Sequence, residues 1–160
     1  MVGNEVTRVL FVCLGNICRS PTAHGVFEAF VARHDLSGSI VVDSCGTAHW
    51  HVGAPPDERS IEAAAARGYE LGRLRARQFS ASDFTRFDYI LAMDHSNLDS
   101  LKSQRPADFD GVLDLFLKFA PEAGIDEVPD PYYGSGDGFN EVLDLIEAAS
   151  EGLLKTIARR

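Results

Sequence analysis

A cysteine and an arginine bracket five residues near the start of the chain, and this spacing is the feature best suited to chemistry. The segment from Cys13 to Arg19 follows a nearly continuous apolar run, which is typical of a buried strand, and it precedes residues with helical spacing. It is therefore predicted to be a loop between a strand and a helix. Backbone N–H groups that turn inward ahead of a helix form a concave anion site, which the helix dipole strengthens. Gly15 and Asn16 tolerate the left-handed backbone that such a turn requires. The predicted anion loop comprises Leu14, Gly15, Asn16, Ile17, Cys18 and Ser20.

The same loop carries the residue types of nucleophilic catalysis. A positive local field stabilises a thiolate, so Cys13 is predicted to be a nucleophile at neutral pH. Arg19 offers a planar fork of donors that holds two phosphoryl oxygens at once, which a lysine cannot copy. Phosphoryl transfer needs mainly in-line positioning and charge stabilisation, so no metal or cofactor is required. Ser20 has two candidate roles, as the N-cap of the helix and as a hydroxyl that donates to the Cys13 sulfur.

A proton donor has to come from elsewhere in the chain. Departure of an ester oxygen from phosphorus is helped by an acid, and hydrolysis of a thiophosphate needs the same group as a base. Asp130 is the best candidate, since Pro131 fixes a turn after it and Tyr132 and Tyr133 can line a slot. Asp-Pro and Tyr-Gly pairs are also common in plain surface turns, so the residues alone leave that alternative open.

Strands and helices alternate along the chain. Apolar, partly β-branched runs predict buried parallel strands over Arg8–Val12, Ser39–Ser44 and Phe87–Met93. Helical spacing predicts helices that begin at Ser20-Pro21, that cover Ile61–Arg67, and that carry Leu98 and Leu101 behind a cap at Asp94 or Ser96. The loop after the first strand lies at a carboxyl end, which is where open α/β sheets bind their ligands.

The last third of the chain supplies one ambiguous and one clear element. Val112–Phe119 fits a strand or a helix, and a short fourth strand is expected near its beginning. An apolar stripe with a period of 3.6 residues, from Phe139 to Ile157, predicts a long C-terminal helix. These repeated units predict an α/β fold with a parallel sheet and helices on both faces. Residues 1–160 are expected to form one domain.

Composition excludes several classes of function. The formal net charge of −9 argues against nucleic acid or an anionic membrane as the main partner, because counterion release needs clustered cations. The apolar run Val9–Leu14 is too short for a signal peptide or a membrane span, so a cytoplasmic location is expected. The three cysteines and His51 match no zinc spacing, so no metal site is predicted.

The run Val12-Cys13-Leu14-Gly15-Asn16-Ile17-Cys18-Arg19-Ser20-Pro21 closely resembles the signature of the low-molecular-weight protein-tyrosine phosphatases, and the resemblance covers almost the whole chain. It implies a small flavodoxin-like three-layer sandwich with a four-stranded parallel sheet. It also implies hydrolysis of phosphotyrosine through a phosphocysteine on Cys13, with Arg19 binding the phosphate. In this family Asn16 would shape the loop and Ser20 would stabilise the thiolate when the intermediate breaks down.

The resemblance also assigns residues outside the signature. The segment Asp130-Pro131-Tyr132-Tyr133-Gly134 resembles the second family motif, so Asp130 is expected to be the general acid and base, with Tyr132 and Tyr133 as one wall of the substrate slot. The corresponding loop of the family places Trp50, and less firmly His49, on the other wall. Cys18 is expected either to protect Cys13 by a reversible disulfide or to pack passively. Cys45 is expected to be structural.

Three rival functions use a similar scaffold. Arsenate reduction needs further relay cysteines, and only Cys45 remains beyond Cys13 and Cys18. Protein-arginine phosphatases carry a threonine at the position of Ile17, whereas Ile17 favours a flat phenyl ring. An inactive phosphate-binding module would lack at least one of the catalytic residues. The expected partners are phosphotyrosine-containing proteins, with phosphate or other oxyanions as product or inhibitor, and a monomer is expected.

Overall fold

The computed structural model describes residues 6–131 and 138–159. Its centre is a parallel sheet of four strands in the order β2-β1-β3-β4. The strands are β1 (Thr7–Cys13), β2 (Ile40–Gly46), β3 (Tyr89–Ala92) and β4 (Val112–Leu115). The α/β class and the four-stranded parallel sheet expected from the sequence are confirmed.

Across the described parts of the chain, five α-helices cover the sheet. They are α1 (Arg19–Arg33), α2 (Glu58–Ala65), α3 (Asp83–Arg86), α4 (His95–Lys102) and α5 (Gly138–Ala158). Asp94 caps α4 by accepting a hydrogen bond from the Asn97 N–H, as one of the two predicted caps. Within the two described stretches, no helix combines the length and apolar character that a membrane span requires.

The central strand shows why the sheet needs helices on both faces. Val9, Leu10, Phe11 and Val12 are all fully buried, and alternate residues of a strand point to opposite sides. Val9 and Phe11 belong to an apolar cluster with residues of α1 and α5, while Leu10 and Val12 join a second cluster with residues of α3 and α4. Burying each such side chain contributes about 1.5–3 kcal/mol. A three-layer sandwich follows from a strand that is apolar throughout.

The ambiguous run after Gly111 turns out to contain two structures. Val112–Leu115 forms the edge strand β4, and Phe116–Phe119 then forms a single 3₁₀ turn. The β3 partner strand ends opposite Leu115, so pairing stops there. The Phe116 ring instead packs edge-on against Phe11, with 4.8 Å between the ring centroids. The strand therefore ends where Phe116 packs into the core, although the sequence pattern contains no residue that would stop a strand there.

Other predicted boundaries moved by a few residues. The second helix runs over Glu58–Ala65 rather than Ile61–Arg67, because Asp57 caps it with its carboxylate. The third strand is shorter than the predicted Phe87–Met93. All four strands deliver their carboxyl ends to the same edge of the sheet, where the predicted anion loop emerges from β1.

Candidate active site

Neighbouring segments hold the anion loop in place by donating hydrogen bonds to its carbonyl groups. The carbonyls of Cys13 and Leu14 accept hydrogen bonds of 2.9 Å from the N–H groups of Thr47 and Ala48, which follow β2. The carbonyl of Ile17 accepts a bond of 2.8 Å from the N–H of Asp57. Because these carbonyls are satisfied by the neighbouring chain, the loop keeps a fixed curvature around its centre.

Asn16 makes the sharpest turn in the loop. Its φ of 57° lies in the left-handed region, as its residue type predicted, and its N–H points to the Cys13 sulfur at 3.3 Å. Gly46, at the end of β2, lies directly behind this turn. A Cβ at Gly46 would come within 2.7 Å of the Leu14 carbonyl oxygen, so only glycine allows the strand and the loop to approach this closely.

The sulfur of Cys13 has a hydroxyl partner in Ser20. The two atoms lie 3.0 Å apart, and the Ser20 hydroxyl also accepts a bond of 2.7 Å from the Asn16 side-chain amide. The same hydroxyl lies 3.3 Å from the carbonyl oxygen of Cys45. The amide donates to Ser20, so the one hydroxyl hydrogen is left for the sulfur or for this carbonyl. An ionised sulfur attracts it more strongly.

The role predicted for Ser20 as a helix cap is wrong. Helix α1 begins at Arg19, its N-cap is Cys18, and no side chain provides a capping hydrogen bond. Ser20 thus lies inside the first helical turn, where its side chain points back to the loop. The other predicted role, donation to the Cys13 sulfur, matches the observed contact.

Arg19 is 3% exposed and is held by groups from two distant parts of the chain. One terminal nitrogen donates to Asp94 at 2.8 Å and to the Val128 carbonyl at 3.0 Å. The other terminal nitrogen lies 3.6 Å from an Asp130 carboxylate oxygen. Burial opposes the charged form, but the neighbouring charges of Cys13, Asp94 and Asp130 outweigh it and raise the pKa of Arg19. The guanidinium therefore stays charged and pre-oriented.

A single pocket brings the predicted residues together. It is lined by Cys13, Leu14, Gly15, Ile17, Cys18, Arg19, Trp50, His51 and Asp130. The sulfur, the guanidinium and the Asp130 carboxylate thus face one space, although Asp130 is more than a hundred residues from the loop in sequence.

The apolar wall of the pocket differs in one respect from the sequence prediction. Trp50 lines the pocket and is 64% exposed, so its ring is free to contact a ligand. His51 lines the pocket beside Gly15, whereas His49 is exposed and lies outside the lining residues. The sequence placed a histidine on each side of Trp50 and offered no signal to choose between them. Tyr132 and Tyr133 lie outside the described residues.

This arrangement agrees with what the chain resembles among known proteins. The family model for low molecular weight phosphotyrosine protein phosphatase matches residues 8–160. A protein of that name from Schizosaccharomyces pombe is 44% identical over 152 residues, which cover 94% of this chain and 97% of the relative. The chain belongs to this family. It is accordingly a protein-tyrosine phosphatase, a hydrolase of phosphoric monoesters, as the sequence motif indicated.

Solved structures agree with the family assignment. A protein tyrosine phosphatase from Entamoeba histolytica matches with a TM-score of 0.92 and 38% identity, over 96% of this chain and 97% of that chain. A Drosophila arginine phosphatase matches with a TM-score of 0.87 and 33% identity, over 93% of this chain and 96% of that chain. The fold of the phosphatase is therefore shared by relatives with two different substrates in their names.

The other two cysteines of the phosphatase are buried, uncharged thiols. Burial raises the pKa of Cys18 to about 12, and burial likewise raises the pKa of Cys45 well above its ordinary value. All three cysteines are free in this structure. The expected structural role of Cys45 fits its complete burial, and its carbonyl faces Ser20. Within residues 6–131 and 138–159, no group of histidine, cysteine and acidic side chains is arranged to hold a metal ion.

Three residues of the site escaped the sequence prediction. Asp94 was expected as a helix cap at the active-site edge, but its ion pair with Arg19 spans 75 positions in sequence. Gly46 and His51 lie in or near the loop after β2, whose path the sequence does not specify. A glycine directly after a buried strand is a signal of close backbone approach, and it could have pointed to Gly46.

Proposed function

We propose that Cys13 carries the covalent step of phosphotyrosine hydrolysis. The thiolate attacks phosphorus, the new S–P bond forms as the P–O bond to the tyrosyl ring breaks, and Asp130 gives its proton to the departing phenolic oxygen. A water then attacks the phosphocysteine, Asp130 accepts a proton from that water, and inorganic phosphate leaves as the S–P bond breaks. The observation that supports these roles is the convergence of Cys13, Arg19 and Asp130 on one pocket.

Arg19 binds the dianion in both steps. Its guanidinium is already charged, buried and fixed by Asp94, so little reorganisation is needed when substrate arrives. Asp130 lies beside the same guanidinium.

Ser20 and the loop amides assist the second step. When the S–P bond breaks, negative charge returns to sulfur, and the Ser20 hydroxyl and the Asn16 N–H already lie within 3.3 Å of that atom. A thiolate that accepts two hydrogen bonds is a better leaving group than a thiolate with none. No reducing agent, metal or cofactor enters either step.

The substrate is a phosphotyrosine side chain in a protein. Ile17 and Trp50 offer an apolar wall for a flat ring, next to the anion loop. Tyr132 and Tyr133 remain the proposed opposite wall, and a contact from His49 also remains a proposal. Phosphate, the product, competes for the same loop.

Arginine phosphatase activity is the second candidate, since a relative of that name shares the fold at 33% identity. Ile17 argues against it, because a branched apolar side chain beside the loop leaves a guanidinium without a polar partner. Arsenate reduction is less suited to this structure. The only thiol outside the loop, Cys45, is fully buried and cannot relay a disulfide without unfolding around it.

The test compares two phosphopeptides that differ only in phosphotyrosine or phosphoarginine. Wild-type enzyme should release phosphate from the first at least about a hundredfold faster, since the site lacks a partner for the second. Cys13→Ser should abolish both reactions, while Cys45→Ala, which keeps the nucleophile, should retain turnover at equal folded concentration. Faster release from phosphoarginine would overturn the substrate assignment, and turnover by Cys13→Ser would overturn the mechanism.

Further features remain proposals of the same kind. Residues 1–160 act as one catalytic domain and as a monomer. The three free cysteines suit a reducing compartment, which supports a cytoplasmic location. Cys18 forms a reversible disulfide with an oxidised Cys13, and its buried, uncharged thiol makes that capture slow at neutral pH.

A further inference from the structure

Arg77, Asp43 and Asp83 form a charged cluster outside the pocket, and the reaction described above gives this cluster no role. Arg77, in the segment after α2, places its guanidinium between Asp43 of β2 and Asp83 of α3. It donates to Asp43 at 3.1 and 3.2 Å, and it makes two bonds of 3.1 Å to the two oxygens of Asp83. The side chain of the arginine thereby ties the middle of β2 to α3.

Asp83 makes this tie rigid. Its side chain is completely buried, and a buried carboxylate is stable only when it is paired and hydrogen-bonded. Besides Arg77, it accepts a bond of 2.9 Å from the N–H of Ser80, and Arg86 lies 3.6 Å away. Burial lowers the pKa of Arg77, but its bond to Asp83 and the other nearby charges outweigh that effect and raise it. The guanidinium of Arg77 is therefore charged and held against Asp83.

The main chain of Arg77 is the part that reaches the active site. Its N–H donates to the Asn16 side-chain oxygen at 3.1 Å, and its carbonyl accepts from the N–H of Gly46 at 2.9 Å. Gly46 is the residue that packs directly behind the anion loop. Arg77 thus contacts both the loop and the strand end that supports it, while its own side chain is anchored elsewhere.

Asn16 links the position of Arg77 to the Cys13 sulfur through hydrogen bonds. Its side-chain oxygen is held by Arg77, its side-chain nitrogen donates to the Ser20 hydroxyl at 2.7 Å, and its main-chain N–H points to the Cys13 sulfur. Asparagine tolerates the left-handed backbone of this turn, and these three hydrogen bonds fix the orientation of its side chain and of its N–H. A shift of Arg77 would therefore move both the Ser20 hydroxyl and the Asn16 N–H, which are the two groups that hydrogen-bond to the sulfur.

We propose that Arg77 is a positioning residue for Cys13: its buried ion pairs with Asp83 and Asp43 fix the main-chain N–H that orients Asn16, and through Asn16 the Ser20 hydroxyl. The proposal rests on the function assigned above. It makes a specific claim about the reaction, because the Ser20 and Asn16 contacts matter most when sulfur leaves phosphorus. Loss of Arg77 should therefore slow hydrolysis of the phosphocysteine more than its formation.

The test replaces Arg77 with methionine, which keeps the aliphatic stem and removes the fork. Arg75→Met is the matched control, because Arg75 is exposed and, among the residues that the structure describes, donates to the carbonyls of Gly72 and Leu74, away from the anion loop. With a good leaving group, Arg77→Met should lower the rate of the second step about 10- to 100-fold, as expected for a displacement near 1 Å. The burst of aryl alcohol should persist and become easier to see. Arg75→Met should match wild type.

A double-mutant cycle separates positioning from general loss of stability. Arg77→Met and Asn16→Ala should be strongly non-additive in the logarithm of kcat, because they break the same path. Asp43→Asn is a milder change at the half-exposed end of the cluster and should slow the same step by a smaller factor. This variant replaces Arg77→Met in the test if Arg77→Met does not fold. Additive effects, or folded variants with wild-type second-step rates, would overturn the proposal. Turnover by Cys13→Ser would instead overturn the underlying function.

Discussion

The anion loop and the acid segment face the same pocket, but they are held in different ways. Loop residues 13–20 are tied to three neighbouring segments by main-chain and side-chain hydrogen bonds, and Asn16, Arg19 and Ser20 are buried. The acid segment before Asp130 has one buried anchor, Val128, which bonds through its N–H to Met93 and through its carbonyl to Arg19. Its other contacts, from Asp126 and Glu127 to His95, are exposed. The side chains of Ile125 and Asp126 are exposed as well.

This difference matches the two tasks. Charge stabilisation in phosphoryl transfer requires donors that do not reorganise, so the loop must be rigid. The acid has to meet a leaving group and later a water, at two different positions in the pocket. A segment with one buried anchor and otherwise exposed contacts suits that task better than one that is buried and tied throughout. Changes in the loop should therefore affect every substrate, and changes in the acid segment should depend on the leaving group.

The largest effect is expected at Arg19. Arg19→Lys keeps one positive charge but loses the planar fork, so it should lower kcat/KM about a thousandfold for every aryl phosphate. Inhibition by inorganic phosphate should weaken in parallel. Steady-state rates across a series of leaving groups provide the measurement, and a loss confined to poor leaving groups would contradict the division between the two regions.

Asp130→Asn should produce a smaller and more selective loss. The amide cannot give a proton to the leaving oxygen, so cleavage of a poor leaving group such as tyrosyl should slow about a hundredfold or more. An activated nitrophenyl ester, which needs less help, should be affected less in the first step. Binding of phosphate should persist. An equal loss for all leaving groups would show that Asp130 affects every substrate alike, as the loop does, and would contradict the division between the two regions.

Gly46→Ala tests how tightly the loop is packed from behind. The added Cβ would lie 2.7 Å from the Leu14 carbonyl oxygen and 3.1 Å from the Asn16 nitrogen, both of which are main-chain atoms. The loop must shift, so kcat should fall about tenfold and the free energy of unfolding by about 1–3 kcal/mol. Gly38→Ala, where a Cβ would meet no atom within 4 Å, is the control. Unchanged kinetics in Gly46→Ala would show that the loop tolerates displacement.

The smallest effect concerns stability at alkaline pH. Folding raises the pKa of Cys18 from 9.0 to about 12 by burial, so the unfolded chain releases this proton at lower pH than the folded protein. The stabilising contribution is complete below about pH 9 and is lost as the pH rises towards 12. Denaturant unfolding of Cys18→Ala should therefore show a shallower decline over this range, by up to about 1.4 kcal/mol per pH unit. Parallel slopes would contradict the buried, uncharged thiol.

The sequence predicted most reliably what lies within one continuous segment. The first strand and the turn at Asn16 depend on local patterns, and they occur as expected. Ser20 was assigned a cap because its type and the following proline fit one, but the helix begins one residue earlier and the tertiary contact with sulfur takes the side chain. A local pattern could not decide between the two.

Contacts between distant segments were harder to predict. The pairing of Arg19 with Asp94 and the choice of His51 over His49 depend on how separate loops meet at the sheet edge. The sequence contains no signal for these paths beyond the order of the strands. The Arg77 cluster shows the same limit, because an arginine-rich run looks like a solvated face until Asp43 and Asp83 are brought against it.

Trapping the intermediate tests the central claim most directly. Enzyme mixed with an aryl phosphate and quenched with acid within one turnover should yield a peptide with one phosphoryl group on Cys13, and Cys13→Ala should yield none. With an activated nitrophenyl ester, whose first step needs little help from the acid, the amount should rise in Asp130→Asn, because hydrolysis of the intermediate loses its base. A phosphoryl group on any other residue, or steady turnover by Cys13→Ala, would contradict the account.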